Sequence, residues 1–468
     1  MAKKTNTVFM CGECGYESPK WIGQCICGAW NTMTEEAAID LHVDDKRRRT
    51  ATTLGKSKPQ LLKEVRSGNF SRLDTGIGEL NRVLGGGLVK GSLTLISGEP
   101  GIGKSTIILQ AAARIAAQYG PVLYVTGEES EEQVRMRADR VCAHPAAADT
   151  IPDNLYILSE TNIERITQIT GEMKPIFLIV DSIQTMYSGD IESAPGTVSQ
   201  VRLCANELMR IGKGKEIPVF IVAHVNKSGD LAGPKIIEHL VDCVLSFTGE
   251  RSQGLRILRA VKNRFGTTNE IGAFEMREEG LMEIENLSKS FLEDMEGDSE
   301  GSVATAVYEG TRPLLLEVQA LTAPANIGFA RRTAIGVDNN RLNMIIAVLE
   351  KKTGLSLINY DVYVNVVGGI KPEGTSLDLA VALAIYSSFK GIKTDSKTIA
   401  IGEIGLTGDL RSIQNAEKIV GEAERMGFKY IIMPEKNAAR IKHNGRLKFY
   451  GITNIREALE LLNSLKDN

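Results

Sequence analysis

"SLTLISGEPGIGKST" (residues 92–106) joins an apolar, β-prone run to a helix through a glycine-rich loop. The loop fits the pattern G-x4-G-K-[ST], with a strand expected before it and a helix from Gly103 onward. Its glycines let backbone amides face a phosphate chain, and the helix N-terminus adds positive potential. The segment Gly98, Glu99, Pro100, Gly101, Ile102, Gly103, Lys104, Ser105 and Thr106 is therefore the expected cradle for ATP or ADP. In that pattern Lys104 reaches the β- and γ-phosphates and Ser105 ligates Mg2+.

Working outward, short apolar runs alternate with helical stretches. "PVLYVTGEES" (121–130), "IFLIVDS" (176–182), "IPVFIVAH" (217–224), "CVLSFTGE" (243–250) and "LRILRAVKNRFG" (255–266) each read as a strand with its exit. Apolar on both faces, such strands indicate a mainly parallel sheet covered by helices on each side. Ligands in these folds bind at the carboxyl ends of the strands. Residues 67–287 are thus expected to form an α/β ATPase core.

Three strand ends supply further chemistry. Asp181 closes "IFLIVD", where a carboxylate holds magnesium through water. Glu128 and Glu129 end the strand after the phosphate-loop helix, and Glu128 is the favoured general base over Glu129. His224 closes "IPVFIVAH" and suits a polar sensor of the γ-phosphate. Lys262 and Arg264, two residues apart, face one side of their strand. In an oligomeric ATPase they would reach a neighbour's nucleotide as arginine-finger-like donors.

The chain has 468 residues, 43% hydrophobic and 24% charged, with net charge −3. That length suggests about three domains, and the composition is that of a soluble globular protein. No secretory leader or membrane-spanning run is legible, so a cytoplasmic protein without membrane contact is expected. Residues 1–30 hold Cys11, Cys14, Cys25 and Cys27 in C-x2-C and C-x-C pairs. Four thiolates suffice to close a tetrahedral Zn2+ site. Trp21 and Trp30 lie in this segment and either pack its small core or stack on bases. Residues 31–66 form a linker, basic from Lys46 to Arg66, that is either a solvated tether or a phosphate-tracking strip. Residues 288–300, with Glu293, Asp294, Glu296, Asp298 and Glu300, read as an acidic linker before a third domain, 301–468.

A four-cysteine N-terminus, "GEPGIGKST", "LIVDSIQT", "KNRFG" and a Lon-like tail, in that order, resemble the RadA (Sms) family of bacterial DNA-repair proteins across essentially the whole chain. The central segment is also similar to RecA and to DnaB-type helicases. The resemblance implies a RecA-like core between a small zinc finger and a Lon-protease-like α+β domain. It also implies a homo-hexameric ATPase that acts on single-stranded and branched DNA and extends or migrates recombination intermediates made by RecA. By position, Ser188 to Val201 and Val225 to Glu238 match the loops that face DNA in RecA-like proteins. Lys227 and Lys235 are the expected phosphate contacts, whereas the first loop carries no cation.

"GTSLD" (374–378) resembles the nucleophile turn of Lon peptidases, with Ser376 at the nucleophile position. "IGEIGLTGDLRSIQNAEKIVGEA" (401–423) resembles the strand and helix that follow it in Lon, where a helical lysine activates the serine. Ungapped alignment puts Glu417 at that lysine's position and Lys418 one residue on. One residue turns a helical side chain by about 100°, so Lys418 should miss Ser376. A serine without a positioned base is a weak nucleophile, so a pseudo-peptidase is expected. Rival readings are an ATP-dependent Lon-like peptidase and a DNA scaffold that uses ATP only to assemble.

Overall fold

The computed structural model describes residues 7–11, 16–26, 28–37, 61, 71–142, 150–224, 235–249, 254–284, 286–293, 295, 297–325, 330–368, 372, 374–442 and 445–465. The chain divides into two compact units, Met1–Glu283 and Ile284–Asn468. Among the described residues no helix is long and apolar enough to cross a membrane.

The N-terminal ribbon is a small antiparallel sheet. Its central strand β1 (Thr7–Cys11) pairs with β2 (Glu17–Ser18) on one side and β3 (Met33–Ala37) on the other. Residues 1–30 therefore do not bound it, because β3 supplies its longest pairing. Cys11, Cys25 and Met33 form its buried centre, with Phe9 and Ile22 against them. Trp21 and Trp30 are 54% and 68% exposed, so they do not pack that core.

The rest of the first unit opens with a two-stranded ladder of β4 (Arg72–Leu73) and β5 (Leu88–Val89), flanking α1 (Gly78–Leu84). Then come β6 (Leu93–Gly98), α2 (Lys104–Tyr119), β7 (Val122–Thr126), α3 (Glu131–Cys142), β8 (Leu155–Ser159), α4 (Ile163–Met173) and β9 (Phe177–Asp181). They are followed by α5 (Val198–Lys215), β10 (Val219–His224), α6 (Lys235–Leu240), β11 (Cys243–Thr248), β12 (Leu255–Asn263), β13 (Ile271–Arg277) and β14 (Gly280–Glu283). The sheet order is β14-β13-β12-β11-β6-β10-β9-β7-β8. From β11 to β8 every pairing is parallel, and β12, β13 and β14 extend the sheet antiparallel.

Side-chain alternation feeds two cores. Val122, Tyr124, Phe177 and Ile179 point to one face with the buried side of α2. Leu123, Val125, Leu178 and Val180 point to the other with α5. A strand buried on both faces needs apolar residues at both parities, and this is why these runs are continuous.

The second unit begins with α7 (Leu287–Leu292), which starts at the last residue of the expected core and runs into the expected acidic linker. Leu287, Ser288 and Phe291 are buried, and Ser288 Oγ accepts from Leu315 N at 3.1 Å. The segment is thus packed rather than a free tether, because its apolar residues precede the acidic run. After β15 (Ser299–Glu300), the strands β16 (Ser302–Glu309), β17 (Arg312–Pro324), β18 (Arg332–Ile335) and β19 (Tyr360–Val366) build one side of a mixed sheet. The helix α8 (Asn339–Thr353) intervenes, and α9 (Asp378–Lys390) follows β19. Strand β20 (Lys393–Thr394) pairs with β15, and β21 (Thr398–Ala400) continues the mixed sheet. A hairpin, β22 (Glu403–Ile404) and β23 (Leu410–Arg411), precedes α10 (Ala416–Arg425).

Candidate functional site

The phosphate loop leaves β6 at Gly98 and enters α2 at Lys104. Gly103 has φ +113, and a Cβ there would come within 2.8 Å of Met276 Cε and 2.9 Å of Leu281 Cδ1. The positive φ is what calls for glycine here, and any side chain would also have to displace those two side-chain ends. No side chain caps α2 at Gly103, and its first turn holds no acidic residue. The first-turn amides and the helix dipole are thus available to an anion.

Lys104 is only 3% exposed. Its ammonium donates to Gly98 O at 2.8 Å and Glu99 O at 2.9 Å, and meets His224 Nδ1 at 3.1 Å. An ammonium only donates, so Nδ1 accepts and the neutral ring carries its proton on Nε2. That nitrogen lies 3.3 Å from Glu128 Oε2. Burial pushes the Lys104 pKa down to about 8, against the opposing pull of Asp181 and Glu128.

The acids come from the neighbouring strands. Register pairs Thr126 of β7 with Asp181 of β9, and Gly127 N donates to Asp181 O at 2.9 Å. Tyr124 OH donates to Asp181 Oδ2 at 2.5 Å. Full burial, and then the Asp181 charge, push that phenol well above its usual pKa. Ser182 Oγ donates to Glu128 Oε1. The close approach of His224 first, and the hydrogen bond from Ser182, hold the Glu128 carboxyl below its ordinary range although burial opposes them. Glu129 is engaged elsewhere, in an ion pair with Arg137 of α3.

Lys104, Ser105, Glu128, Asp181 and His224 thus line one cleft of about 220 Å³ at the carboxyl ends of adjacent parallel strands. Ser105 and Asp181 offer oxygen donors suited to magnesium. Tyr124, Ser182 and Arg137 escaped the sequence reading. The legible signal for Tyr124 was a polar-tipped residue inside an apolar strand, on the face shared with Thr126. Ser182 and Arg137 depend on tertiary approach and left no signal.

Lys262 and Arg264 lie elsewhere. The end of β12 pairs Asn263 with Cys243, and Cys243 pairs with Thr94 at the start of β6. Gly98, at the phosphate loop, pairs with Phe247. The motif therefore sits at the amino end of β6, about 13 Å along the strand from the loop. Lys262 Nζ donates to Glu238 O at 2.7 Å and Val241 O at 2.9 Å, which caps α6. Burial, then Arg264, lower its pKa. Arg264 Nη1 meets Asp242 Oδ1 at 3.3 Å.

In the first of the expected DNA-facing loops, the buried Gln200 side chain bonds Ser188 N, Ser188 O and Ser193 O. Residues 225–234, and with them Lys227, lie outside the described residues, as does the Lys235 side chain. Cys14 and Cys27 also lie outside them, whereas Cys11 and Cys25 are buried together. Ser376 donates to Ala306 O at 3.1 Å. Lys418 donates to Tyr308 OH at 2.5 Å and stands 5.1 Å over that ring. The position aligned with the activating lysine belongs to Glu417, which is exposed rather than buried beside the serine.

Three family models match the chain. They are described as AAA domain (residues 58–230), Subunit ChlI of Mg-chelatase (325–437) and Rubredoxin metal binding domain (9–35). The chain is 49% identical over 457 residues to the DNA repair protein RadA of Bacillus subtilis (strain 168), covering 97% of this chain and 98% of that one. It is 48% identical over 462 residues to the DNA repair protein RadA of Halalkalibacterium halodurans, covering 98% and 99%. Among solved structures, an ATPase domain aligns at 15% identity and TM-score 0.41, covering 48% of this chain and 95% of that one.

Proposed function

The chain belongs to the family of the bacterial DNA repair protein RadA, and on that premise we propose that it is a DNA-dependent ATPase of homologous recombination. In this reading the loop Gly98–Thr106 and Lys104 hold the phosphates, and Ser105 and Asp181 hold magnesium. The metal supplies charge neutralisation at the transferred phosphoryl group. Glu128 is the general base, Asp181 is steadied by Tyr124, and His224 senses the terminal phosphate. The observation that carries the reading is the convergence of Lys104, Glu128, Asp181 and His224 on one cleft. The Arg137 ion pair favours Glu128 over Glu129 as base, because it leaves Glu129 already engaged.

The finer reading is a homo-hexameric motor on single-stranded and branched DNA, extending or migrating intermediates made by RecA in the cytoplasm. Lys262 and Arg264 support an assembly. At about 13 Å along β6 from their own chain's phosphate loop, they fit a nucleotide held by another chain better than their own. Lys227 and Lys235 are the proposed DNA phosphate contacts. Cys11, Cys14, Cys25 and Cys27 are the proposed Zn2+ ligands, and the joint burial of Cys11 and Cys25 suits that role. The Lon-like unit serves as a scaffold rather than a peptidase, since Lys418 is engaged by Tyr308.

One assay tests the whole. ATP turnover is measured with and without single-stranded DNA, alongside degradation of an unfolded polypeptide. Stimulation by DNA with no degradation is expected. ATP-driven degradation would give the function to a peptidase. Turnover too slow to respond to DNA would leave an ATP-assembled scaffold.

A further inference from the structure

Two acids in tandem end β7, and the cleft treats them differently. Glu128 Oε1 accepts from Ser182, and its Oε2 faces His224. Glu129 pairs with Arg137. On α3 the buried residues are Val134, Ala138, Val141 and Cys142, and the first three are spaced as an apolar stripe. Arg137 falls on that stripe, three residues after Val134, with an 18% exposed side chain, whereas Arg135 and Arg140 are exposed on other faces. Its Nη1 is enclosed without a hydrogen-bond partner among the described residues. A helix packing on a sheet gains nothing from a partly unsatisfied guanidinium at such a position. The same side chain lines the cleft shared by Lys104, Glu128 and Asp181.

We propose that Arg137 is a positioning residue for ATP hydrolysis: by holding Glu129 it fixes the turn 127–129 and so aims Glu128 at the terminal phosphate. The turn has several anchors. Glu129 N donates to Thr126 Oγ1 at 3.1 Å, that hydroxyl donates back to Glu129 O at 2.9 Å, and Gly127 N donates to Asp181 O. A Cβ on Gly127 would lie 2.1 Å from Thr185 Oγ1, so the turn has no slack on that side. Releasing the Glu129 carboxylate removes the side-chain anchor at the end of the turn, and Glu128 then drifts from Ser182 and His224. Small displacements of a reacting group cost large factors in rate.

The inference rests on the reading of Glu128 as base, and the experiment separates the two. Steady-state ATPase kinetics and ADP affinity are measured on the full chain for Arg137→Gln, Glu129→Gln, their double variant, Arg137→Lys and Glu128→Gln. Arg137→Gln is expected to lower kcat about tenfold or more, with ADP affinity within about twofold of the parent. Glu129→Gln should match it, the double should fall no further than either single, since both break one contact, and Arg137→Lys should recover part of the rate. Parental kcat in Arg137→Gln beside an inactive Glu128→Gln overturns this inference and leaves the base standing. Parental kcat in Glu128→Gln, with Glu129→Gln far below Arg137→Gln, moves the base to Glu129 and overturns both. Losses that multiply in the double, or ADP affinity falling in step with kcat in both Arg137 variants, mark a merely structural residue and overturn the inference as well.

Discussion

Raising the pH through 8 should change both the stability of the nucleotide-free protein and its affinity for ADP, through Lys104. The folded chain releases the Lys104 proton near pH 8, and the unfolded chain near 10.5. Between those values the unfolded state binds more protons, so stability rises with pH. At about 1.4 kcal/mol per pH unit the gain is at most about 3.5 kcal/mol, and it is absent below pH 8, where the buried ammonium is already a burden in the folded state. Nucleotide phosphates reverse the balance by favouring the charged lysine. Binding should therefore take up about half a proton at pH 8 and nearly one at pH 9, with ADP affinity falling towards tenfold per pH unit above 8. Glu128 remains ionised through this window, because its own shift is downward. The assay is calorimetric titration of ADP with magnesium at pH 8.5 in two buffers of different ionisation heat. The unfolding transition that ADP protects should be followed over the same pH range, with Lys104→Met as control. A binding heat independent of buffer, or an equal stability gain in Lys104→Met, would refute the reasoning.

Three further outcomes are expected. The purified chain should carry one zinc per copy, and Cys11→Ser should lower that content; metal analysis that finds no zinc counts against the four-thiolate site. Arg264→Ala subunits mixed with Lys104→Ala subunits should regain part of the ATPase rate at interfaces that pair an intact cation with an intact cleft. Stable mixed assemblies with no recovery would argue that Arg264 serves only its own Asp242. Ser376→Ala should leave ATP turnover near the parent level, and a serine-reactive phosphonate should not label the parent. Labelling, or ATP-stimulated proteolysis that disappears in Ser376→Ala, would reinstate a peptidase.

The parallel core was legible because its chemistry is local. The run from Leu93 to Gly98 and the lysine at the head of α2 declare strand, loop and helix within a few residues. The ribbon and the start of the second unit were misjudged at their edges for a physical reason. Met33–Ala37 pairs with residues more than twenty positions earlier, and Leu287 and Phe291 are anchored by a sheet that follows them. In the second case a signal was present, since Leu287 and Phe291 stand four apart on one helical face, but the acidic residues after them obscured it.

The cleft shows the same division between local and tertiary information. Each acid at its mouth was visible as a carboxylate at a strand end, but what distinguishes them is the donor each one meets. Asp181 meets Tyr124, Glu128 meets Ser182, and Glu129 meets Arg137. Two of these donors come from an adjacent strand or its exit, and the third comes from the helix that follows. The sheet register brings Tyr124 to Asp181 and sets the strand exits that carry Glu128 and Ser182 side by side, because Thr126 lies level with Asp181. A one-residue slip of β7 against β9 would turn Tyr124 to the other face and withdraw its hydroxyl from Asp181. The same slip would carry Glu128 past Ser182. The chemistry of this site is thus set by strand register as much as by the acids themselves. That is why the glycine loop could be read from fifteen consecutive letters, whereas the different partners of Glu128 and Glu129 became visible only in the fold.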